Sequence, residues 1–279
     1  MRIQKAVITA AAPDQQALPL QRIVDRGGNE KSALQLIAEE VRASGIEEIC
    51  VVIRPGDASA YRQAAGEHLG ELTFLEQQDG YGYGGAILRA REFTAGDPFL
   101  HLVGDHLYLS HADRCCTRQL LDAAESEGCS ISAVQPTREN KLPFFGAVGG
   151  IHVPRRQDLY KINEVLEKPT PTQAEQSLIV AGLRSGYYLC FFGMHVLTAS
   201  VMEILGELQS ALHDPEPLHL ATALSILSHR ERYLALEVEG SRFDIGVKYG
   251  LLMAQLALAL AGEDRDQVLT ELVELLAKK

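Results

Sequence analysis

The chain has 279 residues, 46% of them hydrophobic, and is therefore long enough to bury a sizeable core. Its formal net charge of -11 argues against nucleic acid or an anionic membrane surface as the main partner. Five cysteines without a C-x-x-C pair favour neither a disulfide framework nor a zinc site, and they fit a reducing compartment. The N-terminus shows no signal-peptide pattern, and no apolar stretch reaches membrane-spanning length. We therefore expect a cytoplasmic protein.

The first half of the chain alternates between short apolar runs and amphipathic segments, which is typical of a parallel sheet covered by helices. The predicted strands lie at residues 5–10, 48–53, 73–75 and 99–103. The predicted helices lie at residues 33–41, 59–69 and 85–92. Ser32 is placed to cap the first of these helices and Gly45 to end it.

The second half continues with the same elements and ends in helices. Strands are predicted at residues 130–134, 187–192 and 233–238, and shorter strands at 145–167. Helices are predicted at residues 112–127, 199–208, 218–228, 248–260 and 264–277. We expect residues 1–262 to form one domain. The amphipathic tail, residues 263–279, docks on that domain or on a second subunit, so a homo-oligomer stays open.

Four short motifs follow predicted strands or turns in a fixed order. They are a glycine-rich segment at residues 77–85, Gly104-Asp105, Glu167-Lys168-Pro169, and D-I-G-V-K at residues 244–248. Taken singly, each has an ordinary structural interpretation, such as a turn, a helix cap or a solvated ion pair. Their shared order favours a function, since open α/β sheets bind ligands beyond the carboxyl ends of strands.

In this order the motifs resemble those of the bacterial UTP–glucose-1-phosphate uridylyltransferases and, more loosely, of the sugar-phosphate nucleotidyltransferase superfamily. The resemblance covers nearly the whole chain. It implies a GT-A-like, Rossmann-related α/β fold, with a mixed and mostly parallel sheet flanked by helices and a C-terminal helical tail. It further implies that UTP and glucose 1-phosphate give UDP-glucose and pyrophosphate, with Mg²⁺ as the cofactor.

The same resemblance assigns residues to the nucleotide. Residues 76–86 match the family segment R-Q-x-x-P-x-G-x-G-H-A without a gap. By that match Gln77 reads the uracil edge, and Gly82 and Gly84 let the backbone approach the nucleoside. The backbone of Ala11 and Ala12 lies near the base.

The resemblance also implies which residues bind the metal and the sugar phosphate. Asp105 and Asp244 hold the metal, since two carboxylates from separate strand ends can share one hard cation. Glu167 contacts the sugar hydroxyls and Lys168 contacts the sugar phosphate. Gly146 belongs to a segment that resembles the family strand Y-G-x-V.

Two residues keep alternative interpretations. His106 stands where the family has a second aspartate, and it is either a metal ligand or base, or a replacement that binds nothing. Lys248 either touches a phosphate or lies exposed in the first turn of a helix.

The first loop departs from the family pattern A-A-G-x-G-T-R-x-L-P. Ala12 and Asp14 replace its glycines, Gln15 its threonine and Gln16 its arginine. One lost contact to the developing phosphate charge can cost about 2–4 kcal/mol, and Asp14 brings a negative charge toward the triphosphate.

Nearby basic residues offer a replacement for the lost arginine. We expect Arg26 and Lys31, helped by Arg22, to act as catalytic cations near the helix start. Two other functions stay open: a nucleotide-sugar-binding sensor or scaffold with weakened catalysis, and a transferase that uses dTTP or another sugar 1-phosphate.

Overall fold

The computed structural model describes residues 1–13, 17–66, 70–78, 80–212 and 216–278. Within these ranges the strands follow one another in chain order. They are β1 Lys5–Thr9, β2 Arg22–Val24, β3 Glu30–Ser32, β4 Glu48–Ile53, β5 Thr73–Glu76, β6 Phe99–Val103, β7 His106–Ser110, β8 Ser130–Arg138, β9 Ala147–His152, β10 Leu159–Leu166, β11 Tyr187–Leu197, β12 Tyr233–Glu237 and β13 Gly240–Asp244.

The helices lie between these strands and at the end of the chain. They are α1 Ala33–Ala43, α2 Ala58–Ala65, α3 Gly82–Arg89, α4 Arg91–Thr94, α5 Cys116–Glu127, α6 Pro171–Ser177, α7 Ala199–Ala211, α8 Leu220–Arg230, α9 Gly250–Leu260 and α10 Arg265–Ala277. A 3-10 helix spans Glu139–Phe144. In the described part of the chain, no helix is long and apolar enough to cross a bilayer.

The main sheet has the strand order β5-β4-β1-β6-β11-β8-β12-β10-β9. All of its strands run in one direction except β10 and β11, which pair antiparallel with their neighbours. Two smaller two-stranded sheets join β13 to β7 and β2 to β3. The prediction of a mixed, mostly parallel sheet flanked by helices is therefore confirmed.

The core lies on both faces of the main sheet because its central strands are apolar throughout. In β1, Ala6 and Ile8 belong to one apolar cluster and Val7 belongs to the other. The first cluster includes side chains of α1, α5 and α9, and the second includes those of α3, α7 and α8. Both faces of the sheet are thus covered by helices, so we expect a ligand site at the ends of its strands.

Several predicted elements agree closely with the structure. The strands predicted at 48–53 and 99–103 match β4 and β6, and the strand predicted at 187–192 continues to residue 197. The sequence analysis predicted none of β2, β3, β7 and β13. These are short strands outside the main sheet, and each depends on a partner that local pattern does not reveal.

The C-terminal tail packs back on the same chain, with α10 against α9. Much of the apolar stripe of α10 nevertheless stays exposed, including Val273, Leu275 and Leu276. Apolar residues on α9, Leu252 and Met253, are exposed as well. Self-association through this surface stays a prediction.

The start of α1 offers a test of the local sequence rules. Ser32 is fully buried, its hydroxyl accepts a hydrogen bond from the Gln35 N–H at 3.0 Å, and it donates to the Ala64 carbonyl at 2.8 Å. Ser32→Ala should lower the free energy of unfolding by about 1–3 kcal/mol, because it removes a cap and the donor to the part-buried Ala64 carbonyl. Urea denaturation measures this loss. Thr270→Ala on the exposed face of α10 is the control and should change stability by less than about 0.5 kcal/mol.

Candidate functional site

A cleft of about 530 Å³ opens beyond the carboxyl ends of β1, β5 and β6. The turns after β10 and β13 and the start of α8 complete its walls. Of the residues selected from the sequence, Ala11, Ala12, Gln77, Gly82, Asp105, Glu167, Lys168 and Asp244 line this cleft. Ligand binding at this end of the sheet is what the open α/β arrangement favours.

Asp105, His106 and Asp244 form a compact group in the cleft. Each offers one ligand atom such that all three atoms lie within 4.8 Å of one another. Asp105 and His106 are buried and Asp244 is partly exposed. The distance between His106 Nδ1 and Asp105 Oδ1 is 2.8 Å. Ligand atoms this close to one another can bind one divalent cation together.

The small sheet of β7 and β13 brings this group together. It pairs His106 directly with Asp244, and directly opposed residues of an antiparallel pair project to the same face. The Ile245 N–H donates to the Asp105 carbonyl at 2.9 Å and extends the pairing. Residues separated by more than a hundred positions are thereby held in one place.

Two glycines fit the backbone around this group. A Cβ atom on Gly104 would lie 2.8 Å from the Thr9 carbonyl oxygen, so only glycine allows the turn between β6 and β7 to pass there. The Gly246 N–H donates to Asp244 Oδ1 at 2.9 Å and orients that carboxylate.

Gln77 is buried at the cleft wall, and the nitrogen of its side-chain amide is hydrogen-bonded within the protein. Its side-chain Nε2 donates to the Gly82 carbonyl at 3.0 Å, and its backbone N–H donates to the Ile53 carbonyl at 2.9 Å. Its Oε1 atom is buried and has no hydrogen-bond partner among the described residues. An unpaired buried amide oxygen is costly, which favours a ligand donor at this position.

The glycines after Gln77 serve the protein's own packing. Cβ atoms on Gly82 and Gly84 would each lie 2.9 Å from the Leu218 carbonyl oxygen. The Gly84 N–H donates to that carbonyl at 2.7 Å. Gly82 lines the cleft, whereas Gly84 is buried and is not among the described residues that line it. The approach of Gly84 to a nucleoside therefore stays a prediction that its position does not support.

Glu167 and Lys168 follow β10 and enter the cleft side by side. Desolvation by the surrounding protein raises the pKa of the Glu167 carboxyl, while the charges of Lys168 and His219 lower it. A Cβ atom on Gly146 would lie 2.8 Å from Phe191 Cδ2 and 2.9 Å from Glu167 Oε2, so Gly146 gives room to both side chains. Lys168 has φ 46°, an unusual backbone for a non-glycine residue, and this strain is typical of positioned site residues.

His219 is a cleft residue that sequence reasoning missed. It precedes α8, is exposed, and lines the cleft beside Leu220 and Ala221. The sequence carries no motif around it. The Leu218 N–H donates to the Tyr81 carbonyl at 3.0 Å and α8 packs against β10, and these long-range contacts hold the neighbouring His219 at the cleft.

Lys248 lies on an exposed turn after the D-I-G motif. Its Nζ is 5.1 Å from the centre of the Tyr249 ring, and Val247 rather than Lys248 lines the cleft. In the first loop, Asp14, Gln15 and Gln16 lie outside the described residues, as does Asp79 of the glycine-rich segment.

The basic residues expected to replace the missing arginine lie elsewhere. Lys31 pairs with Asp25 and Glu39, each at 2.8 Å, and these partners raise the pKa of Lys31 against the effect of burial. The Arg26 Nε donates to the Ala261 carbonyl at 3.1 Å. Arg26 and Lys31 do not line the cleft, so the structure does not support their predicted catalytic role.

Arg22 is likewise engaged away from the cleft. Its Nε lies 2.7 Å from Glu30 Oε1 across the β2–β3 pair, and both side chains are exposed. The hairpin stays with the C-terminal helices, because the Val24 N–H donates to Gln255 Oε1 of α9 at 2.8 Å. We predicted that Arg22, Arg26 and Lys31 lie near the triphosphate because they precede α1 in the sequence. In the structure, packing against α9 determines the position of the hairpin instead.

A comparison with protein families assigns the chain. The family model described as nucleotidyl transferase matches residues 21–259. The chain belongs to this nucleotidyl transferase family. A protein named UTP--glucose-1-phosphate uridylyltransferase 2 from Staphylococcus saprophyticus is 25% identical, and the match covers 98% of each chain. UTP--glucose-1-phosphate uridylyltransferase YngB from Bacillus subtilis is 26% identical over 100% of this chain and 97% of that protein.

Solved structures agree with the fold of this nucleotidyl transferase. A UDP-glucose pyrophosphorylase from Acinetobacter baumannii is 22% identical with a TM-score of 0.77, covering 99% of this chain and 100% of that chain. A UTP-bound UGPase from the same organism has a TM-score of 0.75 at 20% identity, covering 98% and 99%. A UDP-glucose pyrophosphorylase complexed with UDP-glucose has a TM-score of 0.72 at 22% identity, covering 92% and 98%.

The charge of Lys168 beside Glu167 gives a testable electrostatic effect. Lys168→Met removes a positive charge that favours the carboxylate, so the pKa of Glu167 should rise further above its ordinary value. A ¹³C NMR titration of the glutamate carboxyl groups measures it. Lys161→Met, an exposed change in β10, is the control and should leave the Glu167 titration in place. An unchanged or lowered pKa in Lys168→Met would show that the two groups do not interact.

Proposed function

We propose that this nucleotidyl transferase joins UTP and glucose 1-phosphate to give UDP-glucose and pyrophosphate. The observation that carries the proposal is the meeting of Asp105 and Asp244 in the same cleft as Gln77, Glu167 and Lys168. The names of full-length relatives support the choice of substrates. The reaction is an in-line attack of a sugar phosphate oxygen on the α-phosphate of the triphosphate.

Asp105 and Asp244 would hold Mg²⁺ in this proposal. Their carboxylate oxygens suit a hard divalent cation, and each is positioned by backbone contacts of its own strand end. When bound, Mg²⁺ neutralises charge on the reacting phosphates. The chain supplies the alignment of the two substrates, which is the main contribution of protein groups in phosphoryl-type transfer.

Gln77 would select the base. Its unpaired Oε1 is an acceptor, and the uracil ring presents an N–H donor at N3, whereas cytosine has no hydrogen there. The bond from Nε2 to the Gly82 carbonyl fixes which end of the amide faces the cleft. The backbone of Ala11 and Ala12 lines the same cleft and would lie near the base.

Glu167 and Lys168 would bind the sugar phosphate. The Lys168 ammonium gives a point charge for the phosphate group, and the Glu167 carboxylate accepts hydrogen bonds from sugar hydroxyls. His219 adds a second basic side chain to this part of the cleft. Gly146 contributes by leaving space for the Glu167 carboxylate.

The second candidate function is a nucleotide-sugar-binding sensor or scaffold with weakened catalysis. Two observations favour it: Gln16 stands where the family has arginine, and Arg26 and Lys31 do not reach the cleft. A pyrophosphate-release assay over UTP, dTTP and several sugar 1-phosphates separates the candidates. Turnover with UTP and glucose 1-phosphate supports our proposal, turnover with another pair replaces its substrates, and UDP-glucose binding without turnover supports the sensor.

The two carboxylates give the sharpest mutational test. Asp105→Asn and Asp244→Asn should each lower kcat by about 10²–10³-fold or more, because a neutral amide holds a divalent cation poorly and phosphate charge is left uncompensated. Pyrophosphate release at saturating UTP, glucose 1-phosphate and Mg²⁺ measures the loss.

The matched control for these variants is Asp266→Asn, an exposed position on α10. It should retain the kcat of the unaltered protein. Circular dichroism checks that each variant is folded. A folded Asp244→Asn protein with normal kcat and normal Mg²⁺ dependence would contradict the proposed metal site.

The role of Gln77 predicts a change in base selection. Gln77→Met keeps the side-chain length but removes the buried acceptor, so the KM for UTP should rise by about ten- to a hundredfold. The preference for UTP over CTP should fall, because the methionine cannot sense the N3 hydrogen. Steady-state kinetics with both triphosphates measure this. Gln209→Met, exposed on α7, is the control, and unchanged selectivity in Gln77→Met would rule out base reading by this residue.

A further inference from the structure

His106 occupies a position in the carboxylate group that the family resemblance fills with aspartate. Its ring is buried, lines the cleft and lies edge-on to the Phe145 ring with centroids 6.2 Å apart. Its partner in the β7–β13 pair is Asp244, so the two side chains share a face. The imidazole is therefore directed into the group by backbone pairing and held there by packing.

The spacing of the ligand atoms is close to that of one coordination shell. Metal–ligand bonds of about 2.0–2.1 Å place adjacent ligands of an octahedral ion about 3 Å apart and opposed ligands about 4 Å apart. The separation of His106 Nδ1 and Asp105 Oδ1, 2.8 Å, is that of adjacent ligands. The three ligand atoms lie within 4.8 Å of one another, so a displacement of under about 1 Å brings the set into one shell. All three side chains can therefore bind one cation without a change in the pairing of β7 with β13.

We propose that His106 is a nitrogen ligand of the divalent cation held by Asp105 and Asp244, and that it moves the preference of this site from Mg²⁺ toward transition cations such as Mn²⁺ or Co²⁺. The inference rests on the cation site of the proposed function. Magnesium favours oxygen ligands in a strict octahedron, whereas imidazole binds first-row transition ions well. The substitution of one carboxylate by an imidazole also removes a negative charge from the site.

The structure also defines the competing role. If the Nδ1–H of His106 donates to Asp105, the imidazole orients a carboxylate ligand and binds no cation itself, as outer-shell groups do. The two roles differ in one observable: a ligand couples its nitrogen nucleus to the electron spin of a bound paramagnetic ion.

Pulsed electron paramagnetic resonance of the full chain loaded with Mn²⁺ alone is the deciding experiment. The unaltered protein should show modulation from a directly bound imidazole ¹⁴N, which should change to the ¹⁵N pattern after labelling of histidine. His106→Gln should abolish it. His219→Gln, which changes the other histidine among the described cleft residues, should retain it. Absent imidazole coupling in the unaltered protein, or coupling that survives in His106→Gln, overturns the proposal.

The cation preference gives a second readout. Displacement of Mn²⁺ by Mg²⁺, followed by the Mn²⁺ signal, measures the ratio of the two affinities. His106→Asp supplies an oxygen ligand and should shift this ratio at least about tenfold toward Mg²⁺. An unchanged ratio overturns the change of preference.

These measurements are independent of turnover. A protein that shows nitrogen coupling without forming UDP-glucose supports the His106 ligand and refutes the proposed reaction. A protein that turns over without the coupling refutes the ligand alone. Thermal unfolding of His106→Gln and His106→Asp verifies that a lost signal does not come from a lost fold.

Discussion

The site depends on the antiparallel pairing of β7 with β13, because that pairing brings His106 and Asp244, from distant parts of the chain, together at the cleft. The register sets His106 opposite Asp244, and the Ile245 N–H donates to the Asp105 carbonyl at 2.9 Å. A shift by one residue would turn Asp244 to the other face of the ribbon and separate it from His106. The register is fixed at one end by the turn at Gly104, where a side chain would collide with the Thr9 carbonyl.

The sequence could predict the main sheet because its signals are local. Continuous apolar runs identify strands such as Glu48–Ile53, and the Ser32 cap identifies the start of α1. The motifs around Asp105 and Asp244 could be located for the same reason. The β7–β13 pair could not, since a five-residue strand outside the main sheet has little pattern of its own and is stabilised by a partner far along the chain. His219 was missed because long-range contacts, rather than a local motif, hold it at the cleft.

The glycines show how one residue type can fit two explanations. In the segment after Gln77, Gly82 and Gly84 read from sequence as backbone openings toward a ligand, yet both give room to the Leu218 carbonyl. Gly146 gives room both to the Phe191 ring and to the carboxylate of Glu167, a residue that lines the cleft. A glycine in a sequence motif indicates that a side chain is not tolerated at that position. The neighbouring atoms in the structure show whether a ligand or the protein itself occupies the space that a side chain would fill.

The charges of the cleft explain why the proposed cation would be central to binding a triphosphate. Asp105 and Asp244 would repel a triphosphate, and the water-poor surroundings of a buried carboxylate strengthen that repulsion. Lys168 and two histidines supply the basic groups among the described cleft residues, while Arg26 and Lys31 are engaged elsewhere. A divalent ion bound by the carboxylates would change the local electrostatic potential from negative to positive. In the proposed reaction, glutamine at the position of the family's arginine leaves fewer side chains for that task, so the geometry of the proposed metal ligands would carry more of the transition-state stabilisation.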